Sequence, residues 1–319
     1  MPGCSTFAGI QSGLHCFRKK VNDEQQIVNM QQYDEKLIKK VQQVELNMAE
    51  FFVDFCKKND LVCFFCGGGC IGAVRHKGFI PWDDDLDFFL PRADYEKLKH
   101  LWKDTDRFVL LYPSEDYNDH NMFITLRDRN TTMIRAIQQD IDTVHGLAID
   151  IFPLDGYPDS KVKRGVQMFW ALLYQLFCAQ IVPQNHGGVT GLLGRIGLLL
   201  VKDSHRRYAV WKYAEKQMSK YCIEDCNAVT EICAGPHYLK KKYPKKCFED
   251  ALYLEFEDTK MPVPIGYDQY LKIAFGDYMT PPPKEKQVPS HEAILIDVDH
   301  SYVDYKGKYY CLNKESSKK

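Results

Sequence analysis

Four aspartates occupy five positions, at Asp83, Asp84, Asp85 and Asp87, between segments apolar enough for a protein interior. Like charges at that density repel one another, so a fold that keeps them together must bring positive charge close by. Residues 66–90 read CGGGCIGAVRHKGFIPWDDDLDFFL, a glycine-rich turn followed by a strand-like run. In an extended strand, residues i and i+2 project to one face. Asp85 and Asp87 would therefore face one divalent ion, while Leu86, Phe88 and Phe89 anchor the strand in apolar packing. Hard oxygen ligands of this kind suit Mg²⁺ or Mn²⁺ better than zinc. Asp83 shares the parity of Asp85 and Asp84 faces the other side; either can support the site from outside. The plainer reading is a charged strand end at the surface, and the glycines and apolar flanks weigh against it.

Gly67, Gly68 and Gly69 can adopt positive φ and present backbone N–H groups to an anion. The CIGAVR segment after them reads as a short helix whose N-terminus favours phosphate. Arg75, His76 and Lys77 then stand between glycines and aspartates. Arg75 is the strongest donor-phosphate candidate, because a guanidinium grips phosphate with two parallel hydrogen bonds. A salt bridge from Arg75 to an aspartate is the competing reading. Lys77, Arg127 and Arg129 are weaker candidates.

With 319 residues, 45% of them hydrophobic, the chain can bury a sizeable core, as one large domain or a core domain with an appendage. Lys plus Arg number 42 against 43 Asp plus Glu, so the net charge of −1 provides no general drive toward nucleic acid. The local basic clusters at Lys240, Lys241, Lys242, Lys245 and Lys246, and at His205, Arg206 and Arg207, read as solvated faces or phosphate steering. The first 20 residues lack a basic start followed by an apolar stretch, which leads us to expect a cytoplasmic, reduced chain. Most of the 12 cysteines are then expected as small buried hydrophobes. Cys63 and Cys66 have CxxC spacing with Cys70 beyond, but no second CxxC follows, and Cys222, Cys226 and Cys233 are irregularly spaced, which disfavours structural zinc.

Along the chain, residues 1–33 read as a polar lead-in. From 34 to 58, Leu37, Val41, Val44, Met48, Phe52 and Phe55 recur at helical steps and predict an amphipathic helix. LVCFF at 61–65 predicts the first buried strand, and residues 92–104 a helix with Tyr95, Leu98 and Leu101 toward the core. Further strands are predicted at 108–112, 122–127 and 131–135, the last two as a hairpin around a DRN turn, and at 147–152, the strand bearing Asp150. The fold class is α/β (α+β), a mixed sheet covered by helices rather than alternating βαβ units. Residues 161–220 read as helical, with the run VQMFWALLYQLFCAQIV too short and too polar for a comfortable bilayer span. A buried helix is the ordinary reading and an interfacial helix the sharper one, since GLLGRIGLLLVK follows. From about Glu249, LYLEFEDTKMPVPIG at 252–266 predicts a strand then a proline-bounded loop, and 267–275 a helix.

The segment GGGCIGAVRHKGFIPWDDDLDFFLPRADYEKL resembles the signature of the LicD family, which joins bacterial phosphocholine transferases to fukutin-type proteins. FGDYMTPPP at 275–283 is similar to that family's C-terminal motif. The resemblance implies a nucleotidyltransferase-like mixed sheet flanked by helices. It divides the chain into a lead-in at 1–33, a catalytic core at 34–160, a helical region at 161–248 and a segment at 249–319 that completes the domain. Asp150, in GLAIDIFPLDGYP, is the implied third carboxylate, a metal ligand that helps activate the acceptor. The implied activity is metal-dependent transfer of phosphocholine, or a related alcohol phosphate, from CDP-choline or a similar CDP-linked donor. The implied acceptor is a sugar hydroxyl of a cell-envelope glycan precursor, as in teichoic acid or lipopolysaccharide biosynthesis. That acceptor can be lipid-linked, which places the protein in the cytoplasm or peripherally at the inner face of the membrane.

The family commonly has Thr or Ser where this chain has Gly69, so a backbone N–H would replace a hydroxyl contact to phosphate. Choline recognition calls for aromatic faces, but 19 Tyr, 18 Phe and 4 Trp single out no cage, and Trp82, Tyr270 and Tyr278 read as core. His291 can reach the site, although an ordinary surface histidine is the plainer reading. Two alternatives remain: a nucleotidyltransferase that moves a nucleoside monophosphate, and a catalytically silent membrane-surface or complex-forming protein. Gly69 and the apolar 165–200 region favour the second; the retained Asp85, Asp87 and Asp150 oppose it.

Overall fold

The helix expected over residues 34–58 forms as α1 (Glu35–Lys58), with the Asp34 carboxylate accepting from the Leu37 N–H at 2.7 Å. Val41, Met48 and Phe52 are fully buried, and Leu37, Val44 and Phe55 pack against the same core. The computed structural model describes residues 34–180, 197–235, 237–289, 291 and 293–312. The lead-in at 1–33 and the start of the second apolar stretch, at 191–196, lie outside the described residues.

Strand β1 (Phe64–Cys66) runs directly into α2 (Gly67–Arg75). The three glycines are the first turn of that helix rather than a turn ahead of it, and Gly67 alone among them has a positive φ, +52°. Strand β2 (Asp87–Pro91) begins at Asp87, so Asp85 lies in the irregular segment before it, not in the strand. Carbonyls of that segment are taken elsewhere: Gln42 Nε2 of α1 donates to Asp83 O at 2.9 Å and to Ile80 O at 3.2 Å. Helix α3 (Arg92–Leu101) follows, with Tyr95 and Leu98 buried as expected. Leu101 is exposed instead, and Trp102 fills the core position, its ring 4.8 Å from that of Phe55.

The strands β3 (Phe108–Leu111), β4 (Ile124–Asp128), β5 (Thr132–Arg135) and β6 (Ala148–Tyr157) come next. The expected hairpin of β4 with β5 does not form, because both edges of β4 are occupied, one by β3 and one by β6. Helices α4 (Lys161–Ala179) and α5 (Ser204–Met218) pack together, then β7 (Ala228–Glu231) and β8 (Tyr243–Pro244) extend the sheet. A hairpin of β9 (Ala251–Phe256) and β10 (Thr259–Pro264) replaces the expected proline-bounded loop. Pro262 and Pro264 are tolerated because alternate residues of a strand turn their nitrogens to the open edge. Helix α6 (Tyr267–Phe275) spans the expected residues, and β11 (Ala293–Asp297) pairs with β5 as a separate two-stranded sheet.

The main sheet is mixed, in the order β1-β2-β6-β4-β3, with β7 on the second half of β6 and β8 on β7. Among the described residues, the β2–β6 pair is the one parallel pair of this sheet. One core extends from Val41 to Ile296, and a smaller one lies between α4 and α5 around Tyr174, Phe177, Trp211 and Met218. Arg92 ties the two together, holding Asp155 of β6 through bonds of 2.8 and 2.7 Å and lying 3.7 Å from Glu215 of α5. Helix α4 is buried on one face only; Val162, Phe169 and Leu172 are exposed on the other. Among the described residues, no helix is long and apolar enough to cross a membrane.

Candidate active site

The site follows from strand register. Asp87 of β2 is the Cα partner of Asp150 of β6, and Thr125 of β4 pairs with the same residue. Residues in register share a face, and alternation along each strand then sorts the sheet. One face carries Phe88, Ile149, Ile151, Ile124 and Leu126, all buried, with Phe52 of α1 against Phe88 at 5.0 Å between ring centroids. The opposite face carries Asp87, Asp150, Thr125, Arg127 and, on β7, Glu231. The apolar face fixes the sheet against α1, and the charged face is left for chemistry.

A cavity opens on the charged face, lined by Asp84, Asp85, Asp150, Arg127, Arg135 and His291 among others. The His291 N–H donates to Asp84 Oδ2 at 3.2 Å, and its ring Nδ1 lies 3.4 Å from Asp84 Oδ1 and 3.9 Å from Asp85 Oδ2. Burial opposes a charge on this ring, but the hydrogen bond to Asp84 and the charges of Asp85 and Asp84 prevail and raise it to about 9. His291 thus belongs to the site and is not a surface histidine; its charge answers the bare carboxylates, and a cation held there would displace the ring proton. Burial drives the Asp87 carboxyl well up, with Asp85 and Asp150 adding to the effect. Burial also raises Asp83, with the charges of Asp85 and Asp84 adding to the effect. Asp150 is pushed up to about 6 by burial, with Arg135, His291 and Arg127 pulling the other way.

Of the residues singled out from sequence, Asp85, Asp150, Arg127 and His291 line the cavity, and Asp87 adjoins it through Asp150. Arg127 is buried and engaged: it donates to Val144 O at 2.9 Å and to Asp119 Oδ2 at 3.2 Å. The glycines stand behind the carboxylates. A Cβ on Gly67 would lie 3.2 Å from Asp87 Oδ2, and one on Gly68 would press into the Asp83 carboxyl. The Gly67 N–H donates to the Tyr270 hydroxyl at 3.1 Å, and Gly69 faces Leu86 and Phe65. Arg75 neither pairs with an aspartate nor lines the cavity; its Nη1 donates to Tyr278 O at 2.5 Å. Lys77 is on the surface, 2.9 Å from Glu255. Arg129 points toward Asp104 at 3.3 Å. Tyr270 and Tyr278 are buried and Trp82 packs against the core, as expected. The described cysteines are buried apart from exposed Cys222 and half-buried Cys311.

Two residues of the site, Arg135 and Glu45, were not singled out from sequence, and Asp84 was expected only as outside support. Asp84 and Asp85 offer oxygens that, with a His291 nitrogen, lie within 4.8 Å of one another. Arg135 enters the cavity because β5 pairs with β11, a long-range pairing that local patterns do not announce. Glu45, in the amphipathic helix α1, is 1% exposed, and its Oε2 has no hydrogen-bond partner. It lies one turn beyond Gln42, which bonds the Asp83 carbonyl, and burial together with Asp85, Asp84, Asp83 and Asp87 raises its carboxyl strongly. A helical charge at a core position was the available clue. This donor set of carboxylate oxygens with one imidazole, and an orphaned carboxyl oxygen beside it, fits a hard divalent cation. Asp84, Asp85 and His291 are the residues best gathered to hold one.

The class is a mixed α/β domain whose sheet collects carboxylates on one face, with a short glycine-headed helix behind them. The chain matches, over residues 60–177, the family model described as LicD/FKTN/FKRP, nucleotidyltransferase domain. It is similar to the lipopolysaccharide cholinephosphotransferase LicD of Haemophilus influenzae, at 26% identity over 275 residues, covering 81% of this chain and 98% of that protein.

Proposed function

We propose that this protein is a metal-dependent phosphotransferase that moves phosphocholine, or a related alcohol phosphate, from a CDP-linked donor to a sugar hydroxyl of a cell-surface glycan precursor. The observation that carries the reading is the in-register pairing of Asp87 with Asp150 beside Asp85, which puts acidic groups from distant parts of the chain around one cavity. The cholinephosphotransferase name of the relative supports the transferred group.

Bound Mg²⁺ or Mn²⁺ would neutralise phosphate charge and stabilise the leaving group. Asp85 would hold it, with Asp84 and His291 on one side and Asp87 and Asp150 on the other. Asp150, which faces the cavity beside Asp87, would take the proton of the attacking hydroxyl. The new bond joins the sugar oxygen to the phosphorus that carries choline; the bond from that phosphorus to CMP breaks, and CMP departs with the electron pair. We also propose that residues 34–160 and 249–319 make one catalytic unit, supported by their shared core, and that 161–248 is a helical subdomain. The exposed apolar side chains of α4 support peripheral contact with a membrane that carries the acceptor.

The test is calorimetric titration with CDP-choline, CDP-ribitol, CTP and ATP, in Mg²⁺ and in EDTA, followed by product analysis with glycan acceptors. Metal-dependent preference for CDP-choline, lost in Asp85→Ala, and release of free CMP are expected. A nucleotidylated acceptor would replace this reading with nucleotidyl transfer, and no binding to any of the four would end it.

A further inference from the structure

We propose that Arg135 is the phosphoryl anchor of the cavity, its guanidinium taking non-bridging oxygens of the donor's diphosphate from the side opposite the carboxylates. This deepens the function proposed above and rests on it. Strand β5 alternates, so Ile134, fully buried against Ile294 and Tyr310, fixes Met133 and Arg135 on the other face, where both line the cavity. Arg135 is in register with Ala293 of β11, just after His291. The separate two-stranded sheet therefore delivers positive charge to a site whose carboxylates come from the main sheet and the segment before β2.

The two arginines of the cavity differ in what they hold. Arg127 is engaged by Val144 O, Asp119 and Thr125 Oγ1 at 2.9, 3.2 and 3.3 Å. Arg135 has no hydrogen bond from its side chain and no carboxylate within 4.0 Å among the described residues, although Asp150 and Asp85 are near enough to act on it electrostatically. A guanidinium carries five donors in a rigid fork. Arg135 is half-buried, and withdrawing a guanidinium even partly from water without an acceptor is costly; burial already works against its charge. An arginine placed only to offset acidic charge would close onto Asp150 or Asp85. Arg135 instead faces them across a gap, the arrangement that accommodates a phosphate between a carboxylate-held cation and an arginine.

The experiment measures binding of CDP-choline, Mg²⁺-pyrophosphate, cytidine and Mg²⁺ alone to the wild type, Arg135→Gln and Arg135→Lys. Loss of charge-assisted bonds to one phosphoryl group predicts that Arg135→Gln weakens CDP-choline and pyrophosphate roughly tenfold to hundredfold. Cytidine affinity should stay the same, and Arg135→Lys should recover part of the loss. Unchanged diphosphate binding in Arg135→Gln, or an equal loss for cytidine, overturns the proposal. Wild type that binds pyrophosphate through Arg135 but no CDP-linked compound keeps the anchor and removes the donor. Wild type that binds neither removes both.

Discussion

Gly68 and Gly69 are adjacent residues in the first turn of α2, and the structure assigns them opposite tolerances. Replacing a helical glycine by alanine ordinarily gains about 1 kcal/mol from backbone entropy and propensity. At Gly68 the new Cβ would press into Asp83 Oδ2 and lie 3.0 Å from Asp83 Cγ. Asp83 has little room to retreat: it is 7% exposed and its carbonyl accepts from Gln42 at 2.9 Å. Overpacking of this kind costs about 1–3 kcal/mol, and the side-chain overlap here belongs at the upper end, so Gly68→Ala should be net destabilising by up to about 2 kcal/mol. At Gly69 the nearest atoms are Leu86 Cδ2 and Phe65 Cδ2, both at 3.3 Å, and a shift of a few tenths of an ångström relieves them. Propensity and packing then nearly cancel, and Gly69→Ala should stay within about 0.5 kcal/mol of wild type. Urea unfolding followed by circular dichroism, in EDTA, reads the difference. A Gly68→Ala protein as stable as Gly69→Ala would show that α2 does not rest on the Asp83 carboxyl.

Asp155→Ala removes the two-bond acceptor of Arg92, leaving Glu96 at 3.3 Å and Glu215 at 3.7 Å, and should cost about 2–3 kcal/mol, whereas the double variant Arg92→Met, Asp155→Leu should recover most of it in the same unfolding assay. His145 is fully buried, donates from Nε2 to Ile141 O at 3.0 Å, and leaves Nδ1 without a partner. Burial lowers it from 6.5 to about 4, so the folded state stays neutral while the unfolded state takes a proton. Its contribution is complete above pH 6.5 and is lost as pH falls toward 4, by about 3 kcal/mol in all, and His145→Gln should flatten stability over that window. Mg²⁺ or Mn²⁺ at 100 times its dissociation constant should stabilise the wild type by about 2.7 kcal/mol and Asp85→Asn by far less, read as thermal shifts against EDTA. No shift with either ion would remove the metal from the site.

Much of the frame was legible because it depends on local periodicity. The heptad-like spacing from Leu37 to Phe55 encodes α1, and the apolar neighbours of Asp150 encode β6. What escaped depends on partners distant in sequence. The DRN turn looks like a hairpin tip, but whether β5 turns back onto β4 depends on β3 and β6 claiming both edges of β4 first. Asp85 and Asp87 share a parity on paper, yet only Asp87 enters the ladder, because Gln42 of α1 holds the Asp83 carbonyl. The acidic half of the site was therefore visible and the basic half was misassigned. Arg75 looked well placed beside the glycines but is bound to the Tyr278 carbonyl, while Arg135 arrives through β11.

Strands β2 and β6 run parallel, and the crossover between them contains α3 and β3 to β5. Asp87 and Asp150 meet only when that long loop has closed, and His291 joins them only when β11 has found β5. Contacts between such distant segments form late, after the entropy of closure has been overcome. A chain still emerging from the ribosome would carry all four clustered aspartates and yet lack the pocket. Interactions absent from the folding transition state change the rate of unfolding far more than the rate of folding. A divalent ion at this site would act as a latch on the finished molecule, slowing escape from the native state without hastening arrival.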